Sequence, residues 1–321
     1  MSATPALPIS VIIPTHNTRE LTLRCLETVD ETRPAPGEVI VVDDGSRDGT
    51  GAAIRERWPE VVLLANKEPL GFSGAANRGL AQARGEILLL LNSDTELSPS
   101  GLASLTAAFG DQLRLGVAGA SLLNLDGSPQ WSGGRDPGLF WFFALASRLP
   151  ALLAWVPGYR RLHSLDRPGE VEWVTGAALA VRRQAWEVAG PLDEGYRFYA
   201  QDLALCATVR AAGFRVAVVP GFEVRHHLGA TVAQGSGCTS DGVQLSWLWG
   251  DLLRWATLFR GERWARRARR LLRLGGGMRR GVLRARSLVS SGVRRQELGR
   301  EIQALDGALE VAARHAPPPV R

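Results

Sequence analysis

Short apolar runs alternate with helical stretches through the first third of the chain. Four of the runs are predicted to be strands: Ile9–Ile13, Val39–Val42, Val61–Ala65 and Ile87–Leu91. Apolar residues at helical spacing separate them over Arg19–Val29 and Gly74–Arg84, and a further helix is expected after Pro99. Strand–helix–strand units joined by short loops predict an α/β fold with a parallel sheet.

The middle of the chain departs from this alternation. Residues 125–170 are irregular and rich in glycine, proline and tryptophan. They include the apolar segment Leu139–Val156, which Arg148 and Pro150 interrupt. With 18 residues, this segment is near the lower limit for a bilayer span. Two alternatives stay open, an interfacial hairpin and a buried pair of helices.

Strand and helix patterns return after residue 170. Val171–Arg182 has the composition of a strand, and Gln201–Ala212 is predicted to be a helix. Arg215–Val219 is predicted to be a strand that ends at Pro220. The segment that follows, E-V-R-H-H-L-G-A-T, is expected to be a loop.

The residues from Leu245 onward differ in pattern and in charge. They carry 17 arginines and 6 acidic residues, a net charge of +11, whereas the first 244 residues carry a net charge of −5. An apolar helical face runs from Leu245 to Phe259, an arginine-rich helix follows, and Gly275–Gly277 is expected to be a hinge. The chain is predicted to divide into a domain of residues 1–244 and a basic amphipathic helical tail of residues 245–321.

Composition and missing motifs exclude several classes of protein. Cys25, Cys206 and Cys238 lack the spacing of a zinc site or a disulfide framework. Neither a G-x-G-x-x-G after the first strand nor a P-loop motif occurs, which argues against a dinucleotide oxidoreductase and a P-loop enzyme. The first residues lack the blocks of a signal peptide, so a reduced, cytoplasmic compartment is expected.

Polar segments follow all four predicted strands: P-T-H-N, D-D-G-S-R-D-G-T, N-K-E-P-L-G-F-S-G and N-S-D-T-E. The carboxyl ends of parallel strands share one edge of a sheet, where ligands bind. Asp94 follows the apolar run Ile87–Leu91, and it is either a site residue or an ordinary turn residue. The second segment likewise suits a ligand-binding carboxylate or a turn with Asp48 or Thr50 as a helix cap.

Seven stretches in order resemble the motifs of family-2 glycosyltransferases. The first four are V-I-I-P-T-H-N, V-V-D-D-G-S-R-D-G-T, L-G-F-S-G-A-A-N-R-G-L and L-L-N-S-D-T-E-L. The others are W-V-T-G-A-A-L-A-V-R-R-Q-A-W-E-V-A-G-P-L-D-E, Q-D-L-A-L-C-A-T-V-R-A-A-G-F and V-P-G-F-E-V-R-H-H. The resemblance extends from about Ile9 to Thr231, and the subgroup resembled is the rhamnosyltransferase-like enzymes of bacterial cell-surface polysaccharide assembly. It implies the GT-A fold, with a Rossmann-like mixed sheet, and inverting transfer from a nucleotide-activated sugar.

The resemblance also implies a divalent metal, Mn²⁺ or Mg²⁺. In the family, the last Asp of a D-x-D or N-x-D motif at a strand end binds the metal, and here that residue is Asp94. His226, the first His of H-H, is implied as a second ligand, whereas His227 is expected to be an ordinary loop residue. A hard cation with oxygen ligands suits the charge that develops on a leaving diphosphate.

The catalytic base of the family lies in an E-D-x-D-L motif, which here is Q-D-L-A-L, starting at Gln201. Asp202 is therefore the implied base; the alternative is a carboxylate that only stabilises a helix N-terminus. Gln201 and Ala204 replace the usual acidic neighbours. Because like-charge repulsion would then no longer raise the pKa of Asp202, we expect a weaker base or altered handling of the acceptor.

Other matched positions are implied in donor and acceptor binding. Those matched to the nucleotide and donor are Pro14, Thr15, Asn17, Asp43, Asp44, Gly71, Phe72, Gly74, Asn77, Asn92 and Ser93. Those matched to the donor sugar and acceptor are Trp173, Thr175, Gly176, Asp193 and Glu194. For Phe72 and Trp173, core packing is the alternative.

The basic tail with its tryptophans, Trp247, Trp249 and Trp255, favours an anionic membrane surface. Packing on its own domain or homo-oligomer formation is the second alternative. Nucleic acid is not expected as a partner, since the rest of the chain is acidic. A peripheral position on the inner face of the plasma membrane would bring the protein to a lipid-linked acceptor.

The expected activity is metal-assisted, inverting transfer from a UDP- or dTDP-sugar, with rhamnose as a candidate, to a hydroxyl of a lipid-linked or polysaccharide acceptor. Asp202 would be the base. The alternative is a catalytically degenerate protein that binds a sugar nucleotide or serves as a scaffold at the membrane, which Gln201 and Ala204 favour. A nucleotidyltransferase is disfavoured because its glycine-rich N-terminal loop is absent from the sequence.

Overall fold

The computed structural model describes residues 7–148, 169–227 and 244–314. These residues form two compact units. The first, here called the sheet unit, comprises residues 7–135, 169–194 and 201–227, and the second, the helical unit, comprises residues 136–148, 195–200 and 244–314. The second half of the apolar segment Leu139–Val156, Cys238 and the last seven residues lie outside the described residues.

Eleven strands and ten helices occur among the described residues. The strands are β1 Leu7–Thr15, β2 Pro36–Asp43, β3 Val62–Ala65, β4 Ile87–Leu91, β5 Thr95–Leu97, β6 Leu115–Leu123, β7 Gly133–Gly134, β8 Gly169–Val171, β9 Trp173–Val174, β10 Ala178–Arg182 and β11 Arg215–His226. The helices are α1 Arg19–Asp30, α2 Thr50–Arg57, α3 Gly71–Gln82, α4 Gly101–Asp111, α5 Leu139–Ser147, α6 Arg183–Ala189, α7 Gln201–Ala211, α8 Leu245–Arg260, α9 Glu262–Leu288 and α10 Gly292–Ala313.

The main sheet of the sheet unit has the strand order β3-β2-β1-β4-β10-β6-β11-β5, and β8 pairs with β11. The first four strands in this order are parallel, as the alternating pattern predicts. Strand β10 runs antiparallel to both of its neighbours, β4 and β6, which makes the sheet mixed. Strands β7 and β9 form a separate antiparallel pair.

The central strand β4 is covered on both faces, which explains the unbroken apolar run in its sequence. All five of its residues, Ile87 to Leu91, are buried. Residues 9–15 of the neighbouring strand β1 are also buried, and Val11, Ile12 and Ile13 have no exposed surface. A strand that is covered on both faces cannot alternate polar and apolar residues. The strand therefore forms a rigid support for the polar segment after Leu91.

Strand β11 does not end at Pro220, and this corrects the sequence prediction. Val219 pairs with Ala120 and Glu223 pairs with Ser121, so the three residues between Val219 and Glu223 form a bulge. A bulge tolerates proline because the missing N–H falls outside the regular hydrogen-bond ladder. The strand then continues to His226, which pairs with Thr95 of β5. The first four residues of the expected loop, Glu223 to His226, are thus part of a strand that brings His226 beside the segment that carries Asp94, and Leu228 to Thr231 lie outside the described residues.

The helical unit buries two of the three tryptophans named for the tail, and the third, Trp247, is half-buried. Trp249 and Trp255 in α8 are fully buried. Trp264 at the start of α9 contacts Trp255 and also Phe142 of α5, with ring centroids 6.4 and 5.5 Å apart. The expectation that Trp249 and Trp255 face a membrane surface is therefore wrong, because a tryptophan that packs inside a helix cluster cannot reach lipid.

The three glycines Gly275–Gly277 do not form a hinge, since α9 continues through them to Leu288. A Cβ at Gly275 would lie 2.7 Å from the carbonyl oxygen of Phe143, and one at Gly276 would lie 2.7 Å from the ring of Trp249. These two glycines therefore permit close packing of α9 on α5 and α8. Helix α10 packs against α9 and is joined to it by the Arg279–Glu301 ion pair at 3.3 Å.

Helix α5 covers the first half of the apolar segment Leu139–Val156. Phe142, Ala144 and Ala146 are fully buried, whereas Phe140 is half-exposed. None of the helices in the described parts of the chain combines the length and the apolar character that a bilayer span requires. For these residues the structure favours the buried-helix alternative over the interfacial hairpin.

Candidate active site

The carboxyl ends of β1, β2, β3 and β4 meet at one edge of the sheet, as predicted from the polar segments. The start of the antiparallel strand β10 reaches the same edge. There the N–H of Asn92 donates to the carbonyl oxygen of Ala177 at 2.9 Å, and the N–H of Gly176 donates to Oδ2 of Asp202 at 2.9 Å. The segment after β4 and the start of α7 are therefore linked through residues 176–177.

Asp94 and His226 lie together at this edge. Asp94 is buried, and Nε2 of His226 lies 3.5 Å from its Oδ1. Both residues are fixed by sheet pairing, since the strand that follows Asp94 pairs with the end of β11. The N–H of His227 also donates to the carbonyl oxygen of Asp94 at 2.9 Å.

Gln130 determines which nitrogen of His226 carries the proton. Its Nε2 donates to Oδ1 of Asn124 at 2.9 Å and to the carbonyl oxygen of His226 at 3.0 Å. Its Oε1 therefore faces Nδ1 of His226, at 2.9 Å. Because an amide oxygen can only accept, Nδ1–H of His226 donates to it, and Nε2 is the nitrogen that would carry the lone pair of a neutral ring toward Asp94.

The donor set at Asp94 and His226 fits a divalent cation. A carboxylate oxygen and an imidazole lone pair that face each other at 3.5 Å are two acceptors, which a shared cation or proton would stabilise. Among the described residues no group of three His, Cys, Asp or Glu side chains is placed to hold a metal. One or two carboxylates, with the remaining positions open to phosphate and water, are typical of Mg²⁺ at a nucleotide site, and Asp94 supplies one carboxylate here.

His227 has a different role from that of His226. Its Nε2 lies 3.0 Å from Oε1 of Glu96, and Glu96 also contacts Arg24 at 3.5 Å. Hydrogen bonds to His227 and Arg24 act against burial and hold the pKa of Glu96 below its ordinary value. His227 thus belongs to a structural ion-pair network, and not to the pair formed by His226 and Asp94.

Asp202 is held in one orientation by two backbone donors. Gly176 N–H donates to Oδ2, and Leu203 N–H donates to Oδ1 at 2.8 Å. The surrounding protein nonetheless raises the pKa of Asp202, because burial disfavours the charged form more than the two hydrogen bonds favour it. The absence of acidic neighbours predicted a weaker base. Desolvation, which the sequence around Asp202 does not reveal, raises the pKa of Asp202 without those neighbours.

The substituted neighbours of Asp202 are both buried. Gln201 is 8 % exposed, and its Oε1 has no hydrogen-bond partner among the residues that the structure describes. Ala204 is also 8 % exposed. A carboxylate at either position would therefore sit in a poorly hydrated environment beside Asp202.

Asp44 anchors the loop between β3 and α3. Its Oδ1 accepts from Nδ2 of Asn66 at 2.6 Å and from the N–H of Leu70 at 2.8 Å, and its Oδ2 accepts from the N–H of Gly71 at 2.9 Å. Gly71 has φ +80°, a conformation that favours glycine. Asp44 therefore shapes the predicted nucleotide loop, and a direct contact with the donor stays a prediction.

The loops after β1 and β2 are joined by several hydrogen bonds. Oδ1 of Asp43 accepts from the N–H of Ser46, and Oδ1 of Asn17 accepts from the N–H of Arg47. Asn17 has φ +53°, so the chain turns two residues after Thr15, the last residue of β1. Asp43 thus accepts a hydrogen bond within its own turn, and Asn17 joins the two loops; a direct contact of either residue with the nucleotide stays a prediction.

Thr15 and Ser93 are part of a buried hydroxyl network. Thr15 contacts Thr18 and Thr22 at 2.9 and 2.7 Å, and Thr18 contacts Ser93 at 3.0 Å. This network joins the end of β1, the start of α1 and the segment after β4. The side-chain amide of Asn92, which is half-buried, makes no such bond among the described residues.

Asn77 fixes the segment that contains Asp193 and Glu194. Its Nδ2 donates to the carbonyl oxygen of Leu192 at 2.9 Å and to Oε1 of Glu194 at 3.0 Å, and its Oδ1 accepts from the N–H of Leu192. A Cβ at Gly74 would lie 2.8 Å from Cβ of Leu70. These positions, with the half-buried Phe72, form the wall of the edge at α3.

Trp173 packs among its neighbours in the sheet unit, and its place beside the donor sugar or acceptor stays a prediction. It is 7 % exposed, its Nε1 donates to the carbonyl oxygen of Arg135 at 2.9 Å, and its ring contacts Trp131 edge-on at 5.0 Å. Thr175 is half-buried, and its N–H donates to the carbonyl oxygen of Ser132. Trp173 and Thr175 therefore position Gly176, which in turn contacts Asp202.

Residues 10–187 match the family described as Glycosyl transferase family 2. The chain belongs to the family-2 glycosyltransferases. Over 225 residues it is 32 % identical to the N-acetylglucosaminyl-diphospho-decaprenol L-rhamnosyltransferase of Mycobacterium tuberculosis, which covers 64 % of this chain and 71 % of that protein. It is 24 % identical over 225 residues to the O-antigen chain rhamnosyltransferase RfbN of Salmonella typhimurium, with coverage of 68 % and 66 %. These relatives confirm that this family-2 protein is a glycosyltransferase.

Two solved structures are similar in fold. One is the mannosyltransferase PcManGT from Pyrobaculum calidifontis in complex with GDP-Man and Mn²⁺, with a TM-score of 0.57, 18 % identity, and coverage of 97 % of this chain and 87 % of that one. The other is GalNAc-T7 with UDP, GalNAc and Mn²⁺, with a TM-score of 0.54, 20 % identity, and coverage of 69 % and 43 %. At such identities the similarity concerns the fold, and it confirms the GT-A fold for this glycosyltransferase.

Proposed function

We propose that the chain transfers a sugar, with inversion, from a nucleotide diphosphate donor to a hydroxyl of a lipid-linked or polysaccharide acceptor. The observation that carries this proposal is the position of two different carboxylates at one sheet edge. Asp94 faces Nε2 of His226, whereas Asp202 accepts hydrogen bonds from backbone N–H groups and has a raised pKa. Carboxylates whose environments differ in this way are suited to different chemical roles.

Asp202 is the proposed base. The hydrogen bonds from Gly176 and Leu203 fix its carboxylate, and each oxygen keeps a further lone pair for the acceptor hydroxyl. As the acceptor oxygen bonds to the anomeric carbon, its proton passes to Asp202, and the electrons of the broken carbon–oxygen bond go to the leaving diphosphate. A pKa raised toward the working pH makes the carboxylate a better proton acceptor.

Asp94 and His226 are the proposed ligands of Mn²⁺ or Mg²⁺. When bound, the cation supplies charge neutralisation to the diphosphate. Gln130 holds the proton on Nδ1 of His226, so Nε2 stays available as a ligand. Both similar solved structures were determined with Mn²⁺.

The proposed donor is a dTDP- or UDP-sugar, with rhamnose as the first candidate. Both relatives are named as rhamnosyltransferases, and the name of the one from Mycobacterium tuberculosis also includes a diphospho-decaprenol. A role in polysaccharide assembly on a lipid carrier follows for this chain as a proposal. We also propose that the chain is peripheral on the cytoplasmic face of the membrane, because the arginine-rich face of α9 is exposed.

The test measures release of nucleoside diphosphate from dTDP-rhamnose, UDP-N-acetylglucosamine and GDP-mannose, with Mn²⁺ or Mg²⁺ and a polyprenyl-diphosphate-linked sugar as acceptor. Asp202→Asn and Asp94→Asn are the informative variants. Asp126→Asn is the matched control, because Asp126 is an exposed carboxylate that only accepts from Ser128 in a turn. We expect both site variants to lose at least about a hundredfold in kcat/KM, and turnover that survives both would contradict the assignment.

A degenerate protein remains the second candidate, on the observation that Gln201 and Ala204 occupy buried positions beside Asp202. It would bind the sugar nucleotide without transferring the sugar. Metal-dependent thermal stabilisation by the nucleotide, combined with no turnover on any acceptor of the panel, would favour it.

A further inference from the structure

Packing explains two of the three consecutive glycines in α9, but it does not explain the third. A Cβ at Gly275 or Gly276 would collide with a neighbouring helix, whereas a Cβ at Gly277 would meet no atom within 4 Å. A glycine inside a helix costs roughly 0.5–1 kcal/mol relative to alanine. Gly277 therefore carries a cost that helix packing does not require.

Gly277 borders a cavity of about 450 Å³ between α9 and α10. The lining residues are Arg270, Arg273, Leu274, Gly277, Arg280, Leu309 and Ala313. This volume is in the range of pockets that hold small molecules, roughly 300–1,000 Å³. Any longer side chain at position 277 would project into this space. The glycine thus keeps the cavity open.

The cavity has unneutralised positive charge. Arg270 and Arg273 are exposed, and neither makes an ion pair or a hydrogen bond within the described part of the chain. Arg280 is different, because it lies 3.2 Å from Oδ1 of Asp306. Two available guanidinium groups at one pocket suit a phosphate, which they can bind through paired N–H donors.

An exposed apolar stripe adjoins the arginines. Leu274, Met278 and Val282 follow each other at four-residue spacing on α9 and are 57 %, 49 % and 58 % exposed. Residues at this spacing share one face of a helix. Leu274 also lines the cavity, so the stripe and the arginine site are continuous. A ligand that matches both parts has a phosphate and an acyl chain.

We propose that this cavity binds the phosphate headgroup of an anionic membrane lipid, while Leu274, Met278 and Val282 lie among the acyl chains. The inference rests on the peripheral membrane position proposed above. It assigns membrane binding to one pocket and not to the overall positive charge of the tail. The apolar stripe favours a lipid over a nucleic acid, whose backbone offers phosphate without acyl chains.

The experiment measures cosedimentation of the full chain, without sugar nucleotide, with vesicles of phosphatidylcholine alone or mixed with phosphatidylglycerol. Gly277→Leu fills the cavity and keeps every charge. Gly281→Leu is the matched control, since it makes the same change on the same helix at a position that is open but does not line the cavity. We expect about tenfold weaker binding to the anionic vesicles for Gly277→Leu only.

Two double variants, each lacking two arginines, distinguish binding at the cavity from binding through the overall charge of the helix. Arg270→Gln/Arg273→Gln removes the cavity arginines, whereas Arg266→Gln/Arg267→Gln removes two exposed arginines of the same helix outside it. We expect the first pair to lose about tenfold more affinity than the second. Melting temperatures of all variants check that each has folded, and transfer to a soluble acceptor stays unchanged, so failure of the lipid site is distinguishable from failure of the catalytic proposal.

Several outcomes would overturn the lipid site. These are a wild-type chain that does not bind the anionic vesicles, equal losses in the two glycine variants, and equal losses in the two arginine pairs. Equal binding of the wild type to a single-stranded oligonucleotide would indicate a nucleic-acid surface. A dimer that Leu274→Glu converts to a monomer would assign the stripe to a second copy of the chain. Inorganic phosphate that binds without displacing the protein from vesicles would separate an ion site from a lipid site.

Discussion

Nε2 of His226 lies 3.5 Å from Oδ1 of Asp94 although the two residues come from distant parts of the sequence. The bulge at residues 220–222 makes this possible, because it lets β11 continue past Pro220 until His226 reaches the strand that follows Asp94. Sheet pairing, and not loop flexibility, therefore sets the separation of the two proposed metal ligands.

Removing the support of His226 is expected to weaken metal binding without removing a ligand. Gln130→Met keeps the length of the side chain but deletes the acceptor for Nδ1–H of His226, so the ring can turn or change tautomer. Changes of this kind typically cost about tenfold to a hundredfold in metal affinity. Titration of Mn²⁺ by electron paramagnetic resonance, in the presence of dTDP, measures the loss.

The matched control for Gln130 is Gln112→Met, which makes the same change at a position outside the site. We expect wild-type Mn²⁺ affinity for this control. If Gln130→Met also kept wild-type affinity, Gln130 would not position a metal ligand.

The raised pKa of Asp202 predicts how activity and stability depend on pH. Activity should fall as the pH drops through the raised pKa, since the base becomes protonated. The folded protein favours the protonated form of Asp202, because its pKa is higher there than in the unfolded chain. The stability that Asp202 contributes is therefore fully present below the unfolded-state pKa and is lost as the pH rises through the folded-state pKa. The melting temperature of Asp202→Asn minus that of the wild type should therefore increase as the pH rises. A difference in melting temperature that does not change with pH would contradict the raised pKa.

Local patterns predicted the supports of the site well. The apolar run Ile87–Leu91 indicated a strand buried on both faces, and it placed Asp94 at the correct edge of the sheet, because such a pattern depends only on neighbours along the chain. Pro220 was misjudged for the same reason. Its effect depends on the pairing partner, and a bulge opposite Ser121 is invisible in a single strand.

Contacts between distant segments could not be predicted in this way. Gln130 lies in an irregular stretch with no periodic signal, and nothing nearby in sequence indicates that it holds His226. The glycines of α9 suggested a hinge because flexibility is their local property, whereas close packing of Gly275 on α5 is a tertiary one. The raised pKa of Asp202 likewise comes from burial, which the sequence around Gln201 does not disclose.

Restoring a carboxylate beside Asp202 should shift its pKa further. Gln201→Glu places a second acid in a buried position, where like charges repel and one proton is held more tightly. We expect the acidic limb of the kcat/KM profile to move to higher pH. Gln201→Met is the control, since it has similar size and no charge, and its acidic limb should match that of the wild type. If the acidic limbs of the kcat/KM profiles of Gln201→Glu and Gln201→Met coincided, a charge at residue 201 would not affect the pKa of Asp202.

Asp251 is expected to hold the backbone that precedes α7. It is buried, with 4 % of its surface exposed, and its carboxylate accepts from the N–H groups of Arg197, Phe198 and Tyr199 at 3.1, 3.0 and 2.8 Å. The sequence contained no sign of this role, because a single Asp among the apolar residues of a helix can equally point toward solvent. Asp251→Ala leaves three N–H groups without their acceptor, and each buried donor in that state costs about 1–3 kcal/mol.

Amide hydrogen exchange measures this effect at the three positions themselves. In Asp251→Ala we expect the N–H groups of residues 197–199 to exchange much faster than in the wild type, together with a lower free energy of unfolding in urea. Asp251→Asn keeps one carbonyl acceptor of the same size, so its loss should be smaller. Because this backbone continues through Ala200, which has φ +63°, into Gln201 and Asp202, a loosened segment should also lower kcat more than it raises the KM for the donor. Unchanged exchange at residues 197–199 in Asp251→Ala would show that the carboxylate does not restrain this backbone in solution.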